Sequence, residues 1–568
     1  MSGIAGVWGD GDIRAMTDAL AHRGPDDHGY HEDGALKLGI RRLGVIDLVT
    51  GHQPIRNEDS TLWIVHNGEI FNYRELRREL EPRHTFYTDS DTEVIVHAYE
   101  EWGRDCLRRF MGMFAFALWD GRELFIARDR LGEKPLYYYA DGKRFLFASE
   151  VKALLTEVPA ELVVDEEYQV FEAPLLGNTM FKNIRSLDPG CSMVVRDRHP
   201  TVTRYWDIEP YDGPERKESE YVEELRWLLR DAVRLRLRSD VPLGVFLSGG
   251  LDSSLIACLA KPEKVFSCRF ALGERYDEFD YARIVARHVG AEHLVIEPTA
   301  EDFRAGFPQV IYHLDYPIAT PSSIAEFALG RLAKPHVKVV LGGQGADEIF
   351  GGYVRYLLML EEARIAEVPI LKSYLPLARH FWSERMFRPH GERYFDLVKR
   401  GDDPSGRVFA LFSGLFEKQR SLVDRMGYTD LKLTFPSLIT MNDKAAAAVG
   451  LENRTPFLDH RIVEFAFRLP MEMKVRGFTT KYILREAARG IVPDAVIDRE
   501  DKKGLVVPVN RWFDHELRGW STGLIDSLSK RNLPLKQGGS RGEFDRARYA
   551  AVSLELWLRI FKDHSVRI

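Results

Sequence analysis

Cysteine is scarce in this chain: four in 568 residues, Cys106, Cys191, Cys258 and Cys268, with no CxxC pair. That spacing excludes a disulfide framework and a thiolate zinc site and leaves the thiols as packing residues. Long apolar runs are missing too. No stretch approaches the roughly 20 residues that cross a bilayer. The segment Met1 to Asp10 lacks the basic start and apolar core of a signal peptide, so a cytoplasmic chain is expected. Positive charge is not in surplus: 79 Lys and Arg against 86 Asp and Glu give a net charge of −7. This argues against nucleic acid as a partner and favours small molecules. Repeats and low-complexity tracts are absent as well.

What is present is enough chain for two domains, since 568 residues exceed what one hydrophobic core usually organises. Up to about Trp206 the text is short and β-rich: Leu62 to His66, Leu124 to Ala127, Pro135 to Tyr139, Arg144 to Ala148, Ser192 to Val195. The apolar spacing of Val94, Ile95, Ala98 and Tyr99 predicts a helix from Asp91 to Trp102. Two antiparallel sheets with helices outside, an αββα sandwich, fit this pattern. The polar, proline-bearing segment Glu209 to Pro214 reads as a linker, so the expected domains are 1–208 and 209–568. Beyond it, helices and strands alternate: helix Tyr221 to Leu237, strand Leu243 to Leu247, helix Ser253 to Ala260, strand Val265 to Phe270, helix Tyr281 to Val289, strand Leu294 to Glu297, strand Lys338 to Leu341. That rhythm implies βαβ crossovers and a parallel sheet. Arg226, Arg230, Arg234 and Arg236 on the first of these helices read as a solvated or interdomain face.

Two glycine loops carry the chemistry. Ser248-Gly249-Gly250-Leu251-Asp252-Ser253-Ser254 sits between an apolar strand and a helix, where backbone N–H groups and the helix dipole hold a pyrophosphate. It lacks the Gly-Lys-Ser/Thr end that grips a transferred γ-phosphate, and its central Asp suits Mg²⁺ on a departing pyrophosphate. The second loop, Gly342 to Tyr353, follows another strand and offers Asp347 as a further Mg²⁺ ligand at the sheet's carboxyl edge. At the other end, small residues after Met1 favour its removal, which would leave Ser2 with a free α-amino group as its own base.

These loops, with Arg23-Gly24-Pro25-Asp26, Arg42 to Asp47, His66-Asn67-Gly68-Glu69, Ser90-Asp91-Thr92-Glu93, Ala127 to Gly132 and Pro456-Phe457-Leu458-Asp459-His460, resemble glutamine-hydrolysing asparagine synthetases over nearly the whole length. The resemblance implies an N-terminal-nucleophile glutaminase followed by an ATP-pyrophosphatase type of synthetase domain. Such a chain adenylates a carboxylate with ATP and Mg²⁺ and aminates it with ammonia passed between the sites. It assigns Leu247, Ser248, Gly249, Gly250, Asp252, Ser253 and Gly343 to ATP and Asp252 and Asp347 to metal. Lys502, two residues before Gly504, is assigned to the reacting carbonyl. Arg42, Asn67, Gly68, Glu69 and Asp91 are assigned to glutamine, with Asn67 and Gly68 as oxyanion donors, and a homodimer is compatible with it.

The family nucleophile is cysteine; here it is Ser2. Serine needs its base to remove a proton during attack, whereas cysteine is already partly thiolate. Three readings stay open: a slow working nucleophile, a domain that has lost hydrolysis, or a cysteine-to-serine replacement made by design. The acceptor pocket departs as well, with Gln344, Tyr316 and Thr320 where relatives carry more acid. A less cationic carboxylate than aspartate is therefore expected. The alternatives are intramolecular amide closure, as in β-lactam synthetases and lasso-peptide cyclases, and an inactive scaffold. The intact glutamine constellation opposes the first and the two complete loops oppose the second.

Overall fold

Two antiparallel six-stranded sheets lie face to face in the first part of the chain. The computed structural model describes residues 1–566 except 271, 273–277, 318–319, 361–387, 501–505, 532 and 534–544. In one sheet the strand Gly3–Trp8 lies between Leu36–Arg42 and Phe145–Ala148. In the other, Trp63–Ile70 and Leu124–Arg128 flank Gly112–Trp119. Ile4, Leu38, Ile40, Val65, Ala115, Ala117, Ile126, Phe147 and Met193 form the dry layer between them. Packing follows from the two-residue period: alternate side chains of each central strand point into this layer and the others face helices. The helix Asp91–Trp102 covers the second sheet, with its N-cap Ser90 accepting from Thr92 N–H.

Residues 209–217 are exposed and carry no regular structure. After them, five parallel strands run in the order Glu292–Ile296, Lys264–Cys268, Leu243–Phe246, Val339–Leu341, Glu452–Arg454 among the described residues. The order reverses direction at Leu243–Phe246, so a crevice opens at its carboxyl end, where ligands of parallel sheets bind. Both glycine loops leave from that edge. Helices Ser322–Ala333 and Phe435–Ala447 pack together beside it. Arg226 caps carbonyls of Glu486, Ala487 and Arg489, and Arg236 is buried against Asp459, so these arginines join helices within the synthetase part. Arg234 pairs with Asp231 at the surface. No described helix is long and apolar enough to cross a membrane.

A buried ionic network ties the sandwich to the parallel-sheet part. Arg23 reaches Glu150 at 2.7 Å, Asp443 at 2.8 Å and the Ser2 carbonyl at 3.0 Å. Lys444 holds Asp315 at 2.7 Å, and Lys152 holds the same carboxylate at 2.8 Å. Buried charges persist only when paired, and this chain pairs cations from one part with carboxylates from the other.

Candidate active site

At the sheet edge the helix Leu251–Ala260 starts directly after Gly250, which aims its first N–H groups into the crevice. Ser253 Oγ accepts from Ser248 N–H at 3.2 Å and lies 3.0 Å from Ser248 Oγ, which pins the loop shut on itself. Gly343 packs against Ser253 and Asp252, so the second loop lies on the first. Leu247 is buried at the strand end.

The two carboxylates assigned to metal converge on one ammonium that the motifs did not single out. Lys481 Nζ lies 2.6 and 2.8 Å from the oxygens of Asp252 and 2.7 Å from Asp347 Oδ1. Lys481 holds a left-handed φ of 54° as the residue before the helix Tyr482–Ala488, backbone strain of the kind found at functional positions. Gly352 makes room for it: a Cβ there would stand 2.1 Å from Lys481 Cε and 2.0 Å from Asp347 Oδ1. A donor set already gathered around one cation fits a hard divalent ion. Lys502 lies outside the described residues. Arg499, just before it, donates to the Gly249 carbonyl at 3.1 Å and pairs with Glu278 at 2.6 Å, so this segment starts from the phosphate loop.

The acceptor residues divide. Tyr316 donates to the Ser437 carbonyl at 3.2 Å and lines a cavity of about 100 Å³ shared with Arg128, Tyr137 and Leu175 of the sandwich. Thr320 Oγ1 lies 3.0 Å from Ser322 Oγ. Gln344 instead joins a chain of side chains at the crevice. In the amide orientation that satisfies its neighbours, Asn442 donates to Glu326 Oε1 at 2.8 Å and accepts from Gln344 Nε2 at 3.2 Å. Gln344 Oε1 is buried without a hydrogen-bond partner. Burial pushes the Glu326 carboxyl up to about 8. A carboxyl group therefore stands one side chain from Gln344, and its burial favours the neutral form at pH 7. Glu348, the other acid of the loop, is engaged by Tyr353 at 2.5 Å.

The glutaminase residues form a second, more enclosed site. Ser2 is buried, and its Oγ accepts from Leu43 N–H at 3.3 Å. The Met1 amine precedes it, 4.0 Å from Glu452 Oε2, and burial drives that amine down to about 4. Arg42 donates to the carbonyls of Ile46 and Asp47 at 2.9 and 2.6 Å. Asp91 accepts from Ile70 N–H at 2.8 Å; burial raises it to about 7, and burial also raises Glu69, next to Asp91 and Glu452. Gly68 has φ +141° and lies so close to the neighbouring strand that a Cβ would meet Met113 O at 2.0 Å. Both polar atoms of Asn67, Glu69 Oε2 and Arg454 Nη2 are buried without hydrogen-bond partners. Such atoms are costly unless something pairs with them, and their grouping marks a place for a polar ligand. Sequence reasoning missed Arg454, which enters from the parallel sheet with Glu69 3.7 Å away and Glu452 2.7 Å away.

Residues 224–555 match the asparagine synthase family and residues 1–206 the glutamine amidotransferase domain family. The chain is 34% identical to asparagine synthetase [glutamine-hydrolyzing] 1 of Bacillus subtilis (strain 168), over 90% of this chain and 86% of that protein. A putative glutamine-hydrolysing asparagine synthetase of Mycobacterium tuberculosis (strain ATCC 25618 / H37Rv) is also 34% identical, over 100% of this chain and 96% of its own length. Asparagine synthetase [glutamine-hydrolyzing] 3 of Bacillus subtilis is 31% identical over 85% of this chain and 82% of its own.

Proposed function

The chain belongs to the asparagine synthase family, and we propose that it makes asparagine or a close analogue, with a glutaminase in residues 1–208 and a synthetase in 209–568. It is a ligase that forms C–N bonds, using ATP to amidate a carboxylate with glutamine-derived ammonia. The observation that carries the reading is the convergence of Asp252 and Asp347, from two glycine loops, on Lys481.

In this scheme the triphosphate lies along the N–H groups of residues 248–254, with Leu247 and Gly343 against the nucleotide. Asp252 and Asp347 would hold Mg²⁺, which would supply charge neutralisation for the leaving pyrophosphate. A carboxylate oxygen of the acceptor attacks the α-phosphorus and the bond to pyrophosphate breaks, giving an acyl-adenylate. Ammonia attacks the acyl carbon, AMP leaves with the bonding electrons, and the nitrogen loses its proton. Negative charge grows on the phosphoryl and tetrahedral oxygens, and a fixed ammonium stabilises it far better than water does. Lys481 takes that role, with Lys502, three residues after Arg499 in the sequence, as a second cation.

The Glu326–Asn442–Gln344 chain supports an acceptor that carries an ammonium, because a bound cation favours the ionised form of Glu326 that burial otherwise opposes. Aspartate fits. For glutamine, Asp91 takes the α-ammonium, Arg42 the α-carboxylate, and Asn67 with Gly68 N–H the oxyanion. Ser2 attacks once removal of Met1 leaves the base on its own amine. Incubation with ATP, Mg²⁺, ammonia and a panel of carboxylates tests the scheme. Aspartate-dependent pyrophosphate release is expected, and release with equal efficiency from neutral-substituted carboxylates would refute the acceptor assignment.

A further inference from the structure

Away from both sites, on the outer side of the glutaminase sandwich, two histidines and two glutamates face one another. Glu58 lies in the turn after strand Ile55–Arg56, His84 in the loop after helix Tyr73–Leu80, and His97 and Glu100 one turn apart on helix Asp91–Trp102. Each offers a ligand atom within 4.8 Å of the others. His84 Nδ1 is 3.4 Å from Glu58 Oε1 and 3.5 Å from Glu100 Oε2; His97 Nδ1 is 3.7 Å from Glu58 Oε2 and 2.8 Å from Glu100 Oε2. Tetrahedral coordination with bonds near 2.0 to 2.1 Å needs ligand–ligand edges of about 3.3 to 3.4 Å. The four His–Glu separations straddle that value, with either oxygen of Glu58 within reach, and all ligand atoms lie within 4.8 Å of one another. We propose that Glu58, His84, His97 and Glu100 bind a Zn²⁺ ion in a tetrahedral N₂O₂ site.

The surroundings match a metal site in its second layer. Both imidazoles turn Nδ1 inward, and each has a carboxylate beyond its outer nitrogen: Glu101 is 3.1 Å from His84 Nε2 and Glu93 is 3.5 Å from His97 Nε2. At His84, where the contact is a hydrogen bond, this carboxylate–histidine–metal order fixes the tautomer and strengthens the ligand. The ligand carboxylates are themselves held, Glu100 by Asn57 Nδ2 and Glu58 by Thr85 N–H, both at 2.8 Å. The rings stack at 4.7 Å, an approach that two imidazolium ions would resist. His97 is fully buried while Glu58 and Glu100 are partly exposed, so the ion has a path in from solvent. Among the described residues a second grouping, His22, Glu150 and His313, already has its carboxylate paired with Arg23 and Lys152.

The site would act as a clip. It joins the turn at Glu58 and the loop before Asp91 to the helix that carries Asp91. In that loop Asp89 N–H donates to Asp47 at 2.9 Å, beside the Arg42 donor contacts. Zinc would therefore brace one wall of the glutamine pocket without touching glutamine.

The test is equilibrium dialysis of the full-length, chelator-treated protein against Zn²⁺, with metal counted by mass spectrometry and melting followed with and without the ion. One zinc per chain and a melting temperature raised by zinc are expected. His84→Ala and Glu58→Gln, both at partly exposed positions, should each weaken binding by at least about 10- to 100-fold and abolish the zinc-dependent rise. Asp252→Asn should bind zinc as the parent does. Tetrahedral Co²⁺ absorption bands should appear in the parent and disappear in His84→Ala. Failure of the parent to retain zinc, or equal retention by His84→Ala and Glu58→Gln, would overturn the assignment, as would octahedral cobalt spectra. In that case the cluster is a set of His–Glu ion pairs.

Discussion

The two reaction sites of this chain satisfy their polar atoms in opposite ways. At the sheet edge the charges are closed on themselves, with Lys481 ion-paired to Asp252 and Asp347. In the glutamine site, Asn67 and Glu69 of the sandwich and Arg454 of the parallel sheet keep buried atoms without hydrogen-bond partners. The first arrangement suits a site that must handle a polyanion and an added cation, because the ammonium and carboxylates can re-pair as charge arrives. The second suits a small zwitterion, whose own groups complete the bonds. The contrast also bears on Ser2. On the proposed assignment, the glutamine pocket keeps its binding atoms poised at a desolvation cost while Ser2 stands where the resemblance implies a cysteine.

The sharpest way to break this comparison is at Lys481. Lys481→Ala is expected to lower aspartate- and ATP-dependent pyrophosphate release by about 10²- to 10³-fold or more, with glutamine hydrolysis unaffected. A rate within a few-fold of the parent would show that the ammonium merely fills space between two carboxylates. Next in size is Ser2→Cys, which should raise glutamine-dependent turnover by an order of magnitude or more while ammonia-dependent turnover stays constant. Parallel assays with the two nitrogen sources read this directly.

Much of the comparison was legible in the sequence. The helix Asp91–Trp102 has the bounds its apolar spacing predicts, and the strands around both glycine loops fall within a few residues of their predicted positions. Gly3–Trp8 and Gly112–Trp119 were not marked as strands, since both are central and buried on nearly every residue, which erases the alternation that marks a half-exposed strand. Lys481 was missed because it lies 229 residues from Asp252, and a lysine ahead of a short helix looks like solvated surface. Glu326 was missed for a related reason: a single acid on a mostly apolar helix reads as its outward face, and only the approach of Asn442 and Gln344 turns it inward.

Glu326 gives a middle-sized effect with two signs. Its pKa, raised to about 8 by burial, means that the folded state prefers the proton, so stability falls as pH rises from the ordinary glutamate range toward 8. Glu326→Gln removes that penalty, and a higher melting temperature at pH 8 is expected. The same change should raise the KM for aspartate by about 10- to 100-fold, the loss of a charge-assisted hydrogen bond. A variant that is neither more stable nor poorer in aspartate binding would detach Glu326 from the acceptor.

The smallest expected effect is a pH profile. Asp91, raised to about 7 by burial, is neutral below that pH and ionised above it, and only the ionised form pairs with the glutamine ammonium. The KM for glutamine should therefore fall as pH rises from 6 to 8, by up to about tenfold per unit below the pKa. Asp91→Asn should flatten the profile.

Formation of an acyl-adenylate by this one chain is the central step of the proposed reaction. It is tested by supplying aspartate labelled with ¹⁸O in its side-chain carboxylate, together with ATP, Mg²⁺ and ammonia, and weighing the AMP formed. One ¹⁸O atom transferred to each AMP, with unlabelled pyrophosphate, is the predicted result. Unlabelled AMP, or label in inorganic phosphate, would contradict attack of the acceptor carboxylate on the α-phosphorus.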